Sequence, residues 1–159
     1  MRRLARAFTL VEVLIVVIIL AILAAVVVPQ WTNVTGQARG ATLLDNIQNV
    51  RAQIQVYRNE HANYPSGASF ANQMTLPTDF NGNTAALRDA THWYGPYLQQ
   101  MPLNTISSVR TVRWTADPAE QFAAPAAPGG WWYNQATGEF RADLPGIAVE
   151  DSGKPFNQY

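Results

Sequence analysis

The chain contains no cysteine, only two histidines and few charged residues. These shortages exclude several kinds of site and several classes of function. Without cysteine, disulfides, thiolate metal sites and cysteine nucleophiles are excluded. The formal net charge is zero, so the sequence lacks the basic excess typical of nucleic-acid binding. His61 and His92 stand in no metal-ligand spacing and beside no nucleophile motif, and we expect both to be surface or helix-end residues. We find no catalytic constellation and predict that the chain is not an enzyme.

An apolar run near the N-terminus is the most prominent feature that the sequence does have. Residues 8–28 are almost entirely Val, Ile, Leu and Ala. As a helix this run would be roughly 31 Å long, enough to cross a bilayer core. Arg2, Arg3 and Arg6 precede the run and no acid does, a bias that holds the N-terminus in the cytoplasm. The pattern predicts a single-pass membrane helix, with the rest of the chain on the extracytoplasmic side.

One carboxylate, Glu12, interrupts the apolar run close to its start. A Glu at the centre of a membrane costs a few kcal/mol, although near a helix end it can reach the headgroups. Cleavage after Ala7 would create an α-amino group on Phe8, one helical turn from Glu12, where opposite charges can meet. The carboxylate would also oppose the positive end of the helix dipole. In an assembly it could instead neutralise the amine of a neighbouring copy.

The stretch "RRLARA" followed by "FTLVEVLIVVIILAILAAVVVP" resembles the class III signal of the type IV pilin and type II secretion pseudopilin superfamily. In that family a prepilin peptidase cuts before the Phe and N-methylates it. The resemblance implies cleavage between Ala7 and Phe8, a methylated Phe8, and assembly roles for Glu12 and Pro29. The family usually has Gly before the cut, whereas this chain has Ala7, the next smallest residue.

Pro29 follows the apolar run and has its own physical consequence. It lacks an N–H and clashes with the carbonyl of Ala25, so it bends or opens a helix at that point. The break either marks the exit from the membrane or lets subunits repack within a filament. Gly36 and Gly40, four residues apart just beyond it, could permit close approach of a second helix.

Beyond Pro29 the helical pattern continues as one apolar stripe, with spacings of 4, 3, 4 and 3 between its members: Leu43, Ile47, Val50, Ile54 and Tyr57. We expect the residues between them to face outward: Asp45, Gln48, Arg51, Gln55 and Arg58. The helix is predicted to end at about Glu60, before Pro65. Tyr57, Tyr64 and Pro65 resemble the end of the long helix in the major pseudopilin of type II secretion.

The remaining sequence predicts a short helix over residues 86–94, an alternating strand over 109–114, an exposed Pro/Ala/Gly-rich loop over 118–130 and a hairpin over 130–144. Alternation in the hairpin should turn Trp131 or Trp132 away from the helix, as a contact for a ligand or another subunit.

Residues 145–159 are predicted to form a loose tail. Asp143, Glu150 and Asp151 do not form a known calcium loop, although similar pseudopilins often bind Ca²⁺ there, and we expect no cofactor.

Together these features predict an α+β fold in which a long N-terminal helix packs on a small antiparallel sheet. Residues 1–7 would be a leader, 8–29 a transmembrane and filament-core helix, 30–65 its amphipathic continuation, and 66–159 a globular head.

The predicted function is a structural subunit of a type IV pilus-like or type II secretion pseudopilus filament, with the pseudopilin favoured. The alternative is a membrane-anchored extracytoplasmic binding module that does not polymerise. The resemblance implies as partners further copies of the chain, the prepilin peptidase, and an inner-membrane assembly platform with its ATPase, with residence in the inner membrane before assembly. No nucleic acid is expected.

Overall fold

The computed structural model describes residues 9–146 and 153–159, and within them the side chains of residues 26–35 lie outside the description. The longest element is helix α1, Leu10–His61. The chain divides into two compact units, an N-terminal unit, Met1–Ala38, and a C-terminal unit, Arg39–Tyr159. Ala62, whose φ is +58°, ends the helix in the left-handed conformation typical of helix C-termini.

The predicted apolar stripe of α1 forms one wall of the core, because its five residues are at most 2% exposed. Of the residues expected to face outward, Arg51 is an exception. It is half-buried, and its Nε donates a hydrogen bond to the carbonyl of Phe140 at 2.9 Å. Burial, followed by the nearby charge of Arg141, lowers the pKa of Arg51. The long Arg stem therefore crosses from the helix to the sheet instead of pointing into water.

A second helix, α2 at Phe70–Thr75, follows a 3₁₀ turn at Gly67–Ser69. The sequence analysis missed α2, since six residues are too few for a clear helical period. Phe70 and Met74 of this helix are buried in the core. The helix predicted over residues 86–94 is wrong. The carboxylate of Asp89 accepts the backbone N–H groups of Thr91 and His92, and such local side-chain bonds compete with helix formation.

The sheet has three strands, β1 at Val112–Thr115, β2 at Trp131–Asn134 and β3 at Glu139–Ala142. β2 and β3 form the predicted hairpin, with Trp131 opposite Ala142. β1 pairs with β2 in parallel, however, with Val112 opposite Trp131. The α+β class is thus confirmed, whereas the sheet is mixed and not purely antiparallel. The segment of residues 116–130 lets β1 run parallel to β2, because it carries the chain back before β2 begins.

Both tryptophans at the start of β2 are fully buried, so the prediction that one of them points to a partner is wrong. Trp131 faces the core, and its indole N–H donates to the carbonyl of Pro102 at 3.0 Å. Trp132 lies on the opposite face, where Phe122 covers it with ring centroids 5.4 Å apart. Phe122 belongs to the Pro/Ala/Gly-rich loop, so this loop supplies the second apolar layer.

The C-terminal segment is not a loose tail where it is described. Phe156–Gln158 forms a 3₁₀ turn, and Phe156 is buried in the core cluster. Asp143, just before this segment, is 5% exposed and pairs with Arg113, with Nη2 to Oδ1 at 2.7 Å. Glu150 and Asp151 lie outside the described residues.

Gly138, in the turn between β2 and β3, allows a test of how closely Tyr64 packs on this turn. Its φ is +75°, and a Cβ added there would overlap the ring of Tyr64. We expect Gly138→Ala to lower the free energy of unfolding by at least about 1–2 kcal/mol, the cost of the left-handed backbone alone. The measurement is urea unfolding of the detergent-solubilised chain, followed by tryptophan fluorescence.

The matched control is Gly146→Ala, because a Cβ at Gly146 meets nothing within 4 Å. Its free energy of unfolding should stay within about 0.5 kcal/mol of that of the unsubstituted chain. Equal values for the two variants would contradict the packing of Tyr64 on the turn.

Candidate functional site

The first turns of α1 present apolar side chains to the outside on every side of the helix. All large apolar residues from Leu10 to Leu23 are between 50% and 82% exposed. Consecutive residues share this exposure, so the surface is a whole cylinder and not a stripe. Full burial of an exposed side chain of this size gains about 1.5–3 kcal/mol, and an extended apolar surface of this kind is typical of a segment that contacts lipid or other protein chains.

Glu12 has a local structural role at the start of this segment. The backbone N–H of Glu12 donates to Thr9 Oγ1 at 3.2 Å, and the N–H of Thr9 lies 3.5 Å from Glu12 Oε2. This reciprocal pair is a capping box, with Thr9 as N-cap and Glu12 as third helical residue, and it satisfies N–H groups that a helix start leaves unpaired. The sequence analysis missed the Thr-x-x-Glu spacing, which is readable without a structure.

The capping box explains how an acid is accommodated in an apolar run. The carboxylate is held at the helix start, where the helix dipole favours negative charge. It uses Oε2 for the cap, and a carboxylate has a second oxygen that can accept a further donor. Local capping and a pairing of Glu12 with an amine are therefore compatible.

The other residues predicted for assembly are placed as follows. Ala7 and Phe8 lie outside the described residues, and Pro29 lies within α1 while its side chain is outside the description. Gly36 is exposed, with nothing within 4 Å of an added Cβ. Gly40 is buried against Phe156, 3.0 Å from an added Cβ, so its small size serves a contact within the chain. Among the described residues, none belongs to a helix with the length and apolarity needed to cross a membrane.

Tyr64 and Pro65, which carried the resemblance at the end of the long helix, join that end to the sheet. The ring of Tyr64 packs on Gly138, and its hydroxyl accepts a hydrogen bond from Arg58 at 2.9 Å. The carbonyl of Pro65 accepts a hydrogen bond from the hydroxyl of Tyr133 at 2.8 Å. The pattern therefore positions the last turn of α1 against the hairpin.

His61, the last residue of α1, is a helix-end residue as expected, but it is 3% exposed and so not on the surface. Its Nδ1 donates to the carbonyl of Phe80 at 3.0 Å, because a carbonyl can only accept. Its Nε2 lies 2.9 Å from the hydroxyl of Tyr97 and 3.1 Å from that of Thr78. Tyr97 in turn donates to Glu60 at 2.5 Å. These bonds fasten the loop after α2 to the end of α1.

The second histidine, His92, forms a local contact of its own. His92 is partly exposed and bonds to the carboxylate of Asp89 at 2.8 Å. The Thr91 N–H, followed by the His92 side chain, holds the pKa of Asp89 well below its usual range. Among residues 9–146 and 153–159, the His, Asp and Glu side chains nowhere gather in a group of three that could hold a metal ion.

The raised pKa values of three buried or partly buried tyrosines lead us to expect a loss of stability in alkali. Burial, followed by the charge of Asp79, raises the pKa of Tyr57 to about 12, and burial also raises the pKa values of Tyr97 and Tyr133. Because an unfolded tyrosine ionises near pH 10, this stabilisation is complete below about pH 10 and is lost as the pH rises towards 12.

Tyr57→Phe removes the ionisable hydroxyl, so stability should fall less steeply with pH, by up to about 1.4 kcal/mol per pH unit. Urea unfolding at several alkaline pH values measures this slope. An unchanged slope in the variant would show that Tyr57 ionises no later in the folded state than in the unfolded state.

Comparison with known proteins agrees with these features. A family model described as the prokaryotic N-terminal methylation motif matches residues 2–28. The type II secretion system core protein G of Pseudomonas aeruginosa is 40% identical over 65 residues, which are 41% of this chain and 46% of that relative. The chain thus spans less than half the length of the curated relative it matches. No solved structure matches the chain significantly.

Both matches indicate a structural subunit and not an enzyme. The methylation motif covers the segment in which the capping box and the exposed apolar cylinder lie, since it matches residues 2–28. The chain carries the N-terminal methylation motif, and its resemblance to the type IV pilin and type II secretion pseudopilin superfamily is confirmed.

Proposed function

We propose that this chain is a structural subunit of a pilus-like filament, specifically a pseudopilin of a type II secretion system. The observation that carries the proposal is the apolar cylinder of Leu10–Leu23, whose large side chains are all at least half exposed and which has a capped acid, Glu12, near its start. The similarity to a type II secretion core protein favours the pseudopilus over a surface pilus.

The apolar cylinder has two successive environments under this proposal. Before assembly, residues 8–28 lie in the inner membrane, with the Arg-rich N-terminus in the cytoplasm and the C-terminal unit in the periplasm. A platform protein and its ATPase then extract the chain into a filament. Extraction removes lipid from the cylinder, and packing against the same segment of other copies restores the burial. Pro29 has no backbone N–H, so it removes one helical hydrogen bond and allows the helix to bend at the point where the segment repacks.

Processing generates the charge that Glu12 pairs with. A prepilin peptidase cuts between Ala7 and Phe8 and methylates the new amine, which remains cationic. The cut leaves the capping box intact, because both Thr9 and Glu12 follow it. The helix start is therefore formed independently of the leader. Glu12 then neutralises the amine of Phe8 in its own or a neighbouring chain, within an apolar filament core where an unpaired charge is costly.

The N-terminus of the mature chain tests the processing step. We expect mass spectrometry of the membrane fraction to find a methylated Phe8 as first residue. Ala7→Gly, which restores the usual residue of the family, should be cleaved at least as completely. Ala7→Leu should accumulate uncut, because the larger side chain does not fit where Ala or Gly is accepted. A chain that begins at Met1, or at an unmethylated internal residue, contradicts the proposal.

Substitutions of Glu12 separate its charge from its capping role. Glu12→Gln keeps a capping-box residue but removes the charge, whereas Glu12→Ala removes both. We expect both variants to insert into the membrane and neither to assemble. Loss of one partner of a buried charge pair costs about 3–5 kcal/mol, so filament yield should fall more than about a hundredfold. Electron microscopy of filaments and fractionation of membranes give the two measurements.

The control is Thr9→Ser, which retains a capping hydroxyl and all charges and should assemble normally. Normal assembly of Glu12→Gln would show that only the cap matters. Absence of filaments from the unsubstituted chain, together with normal membrane insertion of both Glu12 variants, would favour a membrane-anchored binding module that does not polymerise.

A further inference from the structure

A buried histidine, His61, joins the end of α1 to the loop after α2 through both of its ring nitrogens. Nδ1 lies 3.0 Å from the carbonyl of Phe80, and Nε2 lies 2.9 Å from the hydroxyl of Tyr97. The side chain is 3% exposed, so water does not replace these partners. The partners therefore decide which of the two nitrogens carries a proton.

The main partners of both nitrogens are acceptors. The carbonyl of Phe80 can only accept, so Nδ1 of His61 carries a proton. The hydroxyl of Tyr97 donates its single proton to Oε2 of Glu60, 2.5 Å away, because a carboxylate can only accept. The oxygen of Tyr97 thus offers Nε2 only lone pairs. A proton on Nε2 makes this contact a hydrogen bond, whereas without it two lone pairs face each other at 2.9 Å.

Thr78 allows a comparison of the neutral and the cationic ring, because its hydroxyl lies 3.1 Å from Nε2 and can donate or accept. If Thr78 donates, the ring of His61 is neutral and its contact with Tyr97 is left without a proton. If Nε2 carries a proton, both hydroxyl oxygens can accept it. The contacts of the folded chain are therefore satisfied more completely by a cationic imidazolium ring.

The additional proton belongs on the imidazole and not on Glu60. The side chain of Glu60 is only half-buried, so water still reaches its carboxyl group. In model peptides, moreover, histidine binds its proton about 2 pKa units more tightly than glutamate does. Burial, followed by the hydrogen bond to Glu60, raises the pKa of Tyr97. Tyr97 therefore keeps its own proton and connects the cation to the carboxylate.

Aromatic rings offset part of the cost of burying a cation at this position. The ring of Tyr57 lies over the imidazole of His61, with centroids 4.0 Å apart and an interplanar angle of 30°. A cation over the face of a tyrosine ring is attracted by the negative potential of that face. Tyr94 makes a second ring contact, with centroids 4.9 Å apart.

The charges around this network also suit a cation. These titratable side chains lie around the imidazole or its immediate partners: Tyr57, Glu60, Tyr64, Asp79, Tyr94 and Tyr97. The carboxylates of Glu60 and Asp79 carry the sign that stabilises an imidazolium. The arginines of this region bond to other groups: Arg58 donates to the hydroxyl of Tyr64, and Arg88 donates to a backbone carbonyl of the loop.

We propose that His61 is a proton-binding site of the folded chain, at which an imidazolium fastens the segment of residues 78–97 to the end of α1. Nδ1–H holds the carbonyl of Phe80, and Nε2–H holds Tyr97, which is bonded to Glu60. Loss of the proton removes the Nε2 donor and loosens this segment from the helix. The inference concerns the C-terminal unit and goes beyond the proposed filament function.

This proton makes the stability of the fold depend on pH near neutrality. A histidine of the unfolded chain loses its proton near pH 6.5. Because the folded chain keeps the proton above that pH, the stabilisation is complete below about pH 6.5 and is lost as the pH rises. We expect the unfolding equilibrium constant to rise by up to about tenfold per pH unit between about pH 6.5 and 8.5. Urea unfolding of the detergent-solubilised full-length chain measures this slope.

Tyr97→Phe keeps the ring but removes the hydroxyl that accepts from Nε2, so the slope should be lost. The matched control is Tyr94→Phe, which also removes a hydroxyl from a tyrosine beside His61 but leaves its ring contact, and it should keep the slope. A Tyr97→Phe variant that is less stable at every pH with an unchanged slope shows a merely structural hydroxyl and overturns the proposal. Loss of the slope in His92→Gln assigns the proton to the other histidine and also overturns it.

Nuclear magnetic resonance reads the charge of the ring directly. The chain has two histidines, so His92→Gln leaves His61 as the one imidazole of the full-length chain in detergent micelles. With isotope-labelled histidine at about pH 7.5, one unit above the ordinary value, we expect both ring nitrogens to give the signals of protonated nitrogen. Adding Tyr97→Phe should return Nε2 to the unprotonated form. A neutral ring without that second substitution overturns the proposal and leaves the filament function untouched.

Discussion

The C-terminal unit depends on the packing of one helical stripe against one face of a three-stranded sheet. Leu43–Tyr57 of α1 supply five side chains that are almost fully buried, and Trp131, Tyr133 and Phe140 of the sheet join the same cluster. A sheet this small is not stable in water unless a face is covered. The helix covers the inner face, and the loop that carries Phe122 covers the outer face at Trp132. The other elements attach to this arrangement.

The N-terminal part of the same helix has a different surface. There the apolar side chains surround the helix, and none from Leu10 to Leu23 is less than half exposed. A helix that is apolar on all sides is stable only inside lipid or among other helices. Glu12 does not weaken this surface, because Thr9 holds the acid at the helix start. The cap therefore lets the segment hold a carboxylate at the helix start, where it satisfies backbone N–H groups that would otherwise be unpaired.

Sequence alone predicted the features that repeat with a regular period or form a fixed motif. The stripe of α1, the hairpin of β2 and β3, and the α+β class were correct because helical and strand periods place side chains locally. The methylation motif was recognisable for a similar reason, since it is a continuous stretch of residues. The capping box is equally local, since Thr9 and Glu12 are three residues apart in the sequence.

Other features were decided by contacts between residues distant in sequence. The parallel pairing of β1, the burial of Trp132, the ion pair of Asp143 with Arg113 and the buried position of His61 depend on which segments meet, not on local period. A polar or aromatic residue in a loop has the same sequence signal whether it is solvated or covered. The sequence thus determined a long N-terminal helix followed by a small α+β unit, because these depend on local periods, and the tertiary structure decided which polar and aromatic residues are buried, because burial depends on which segments meet.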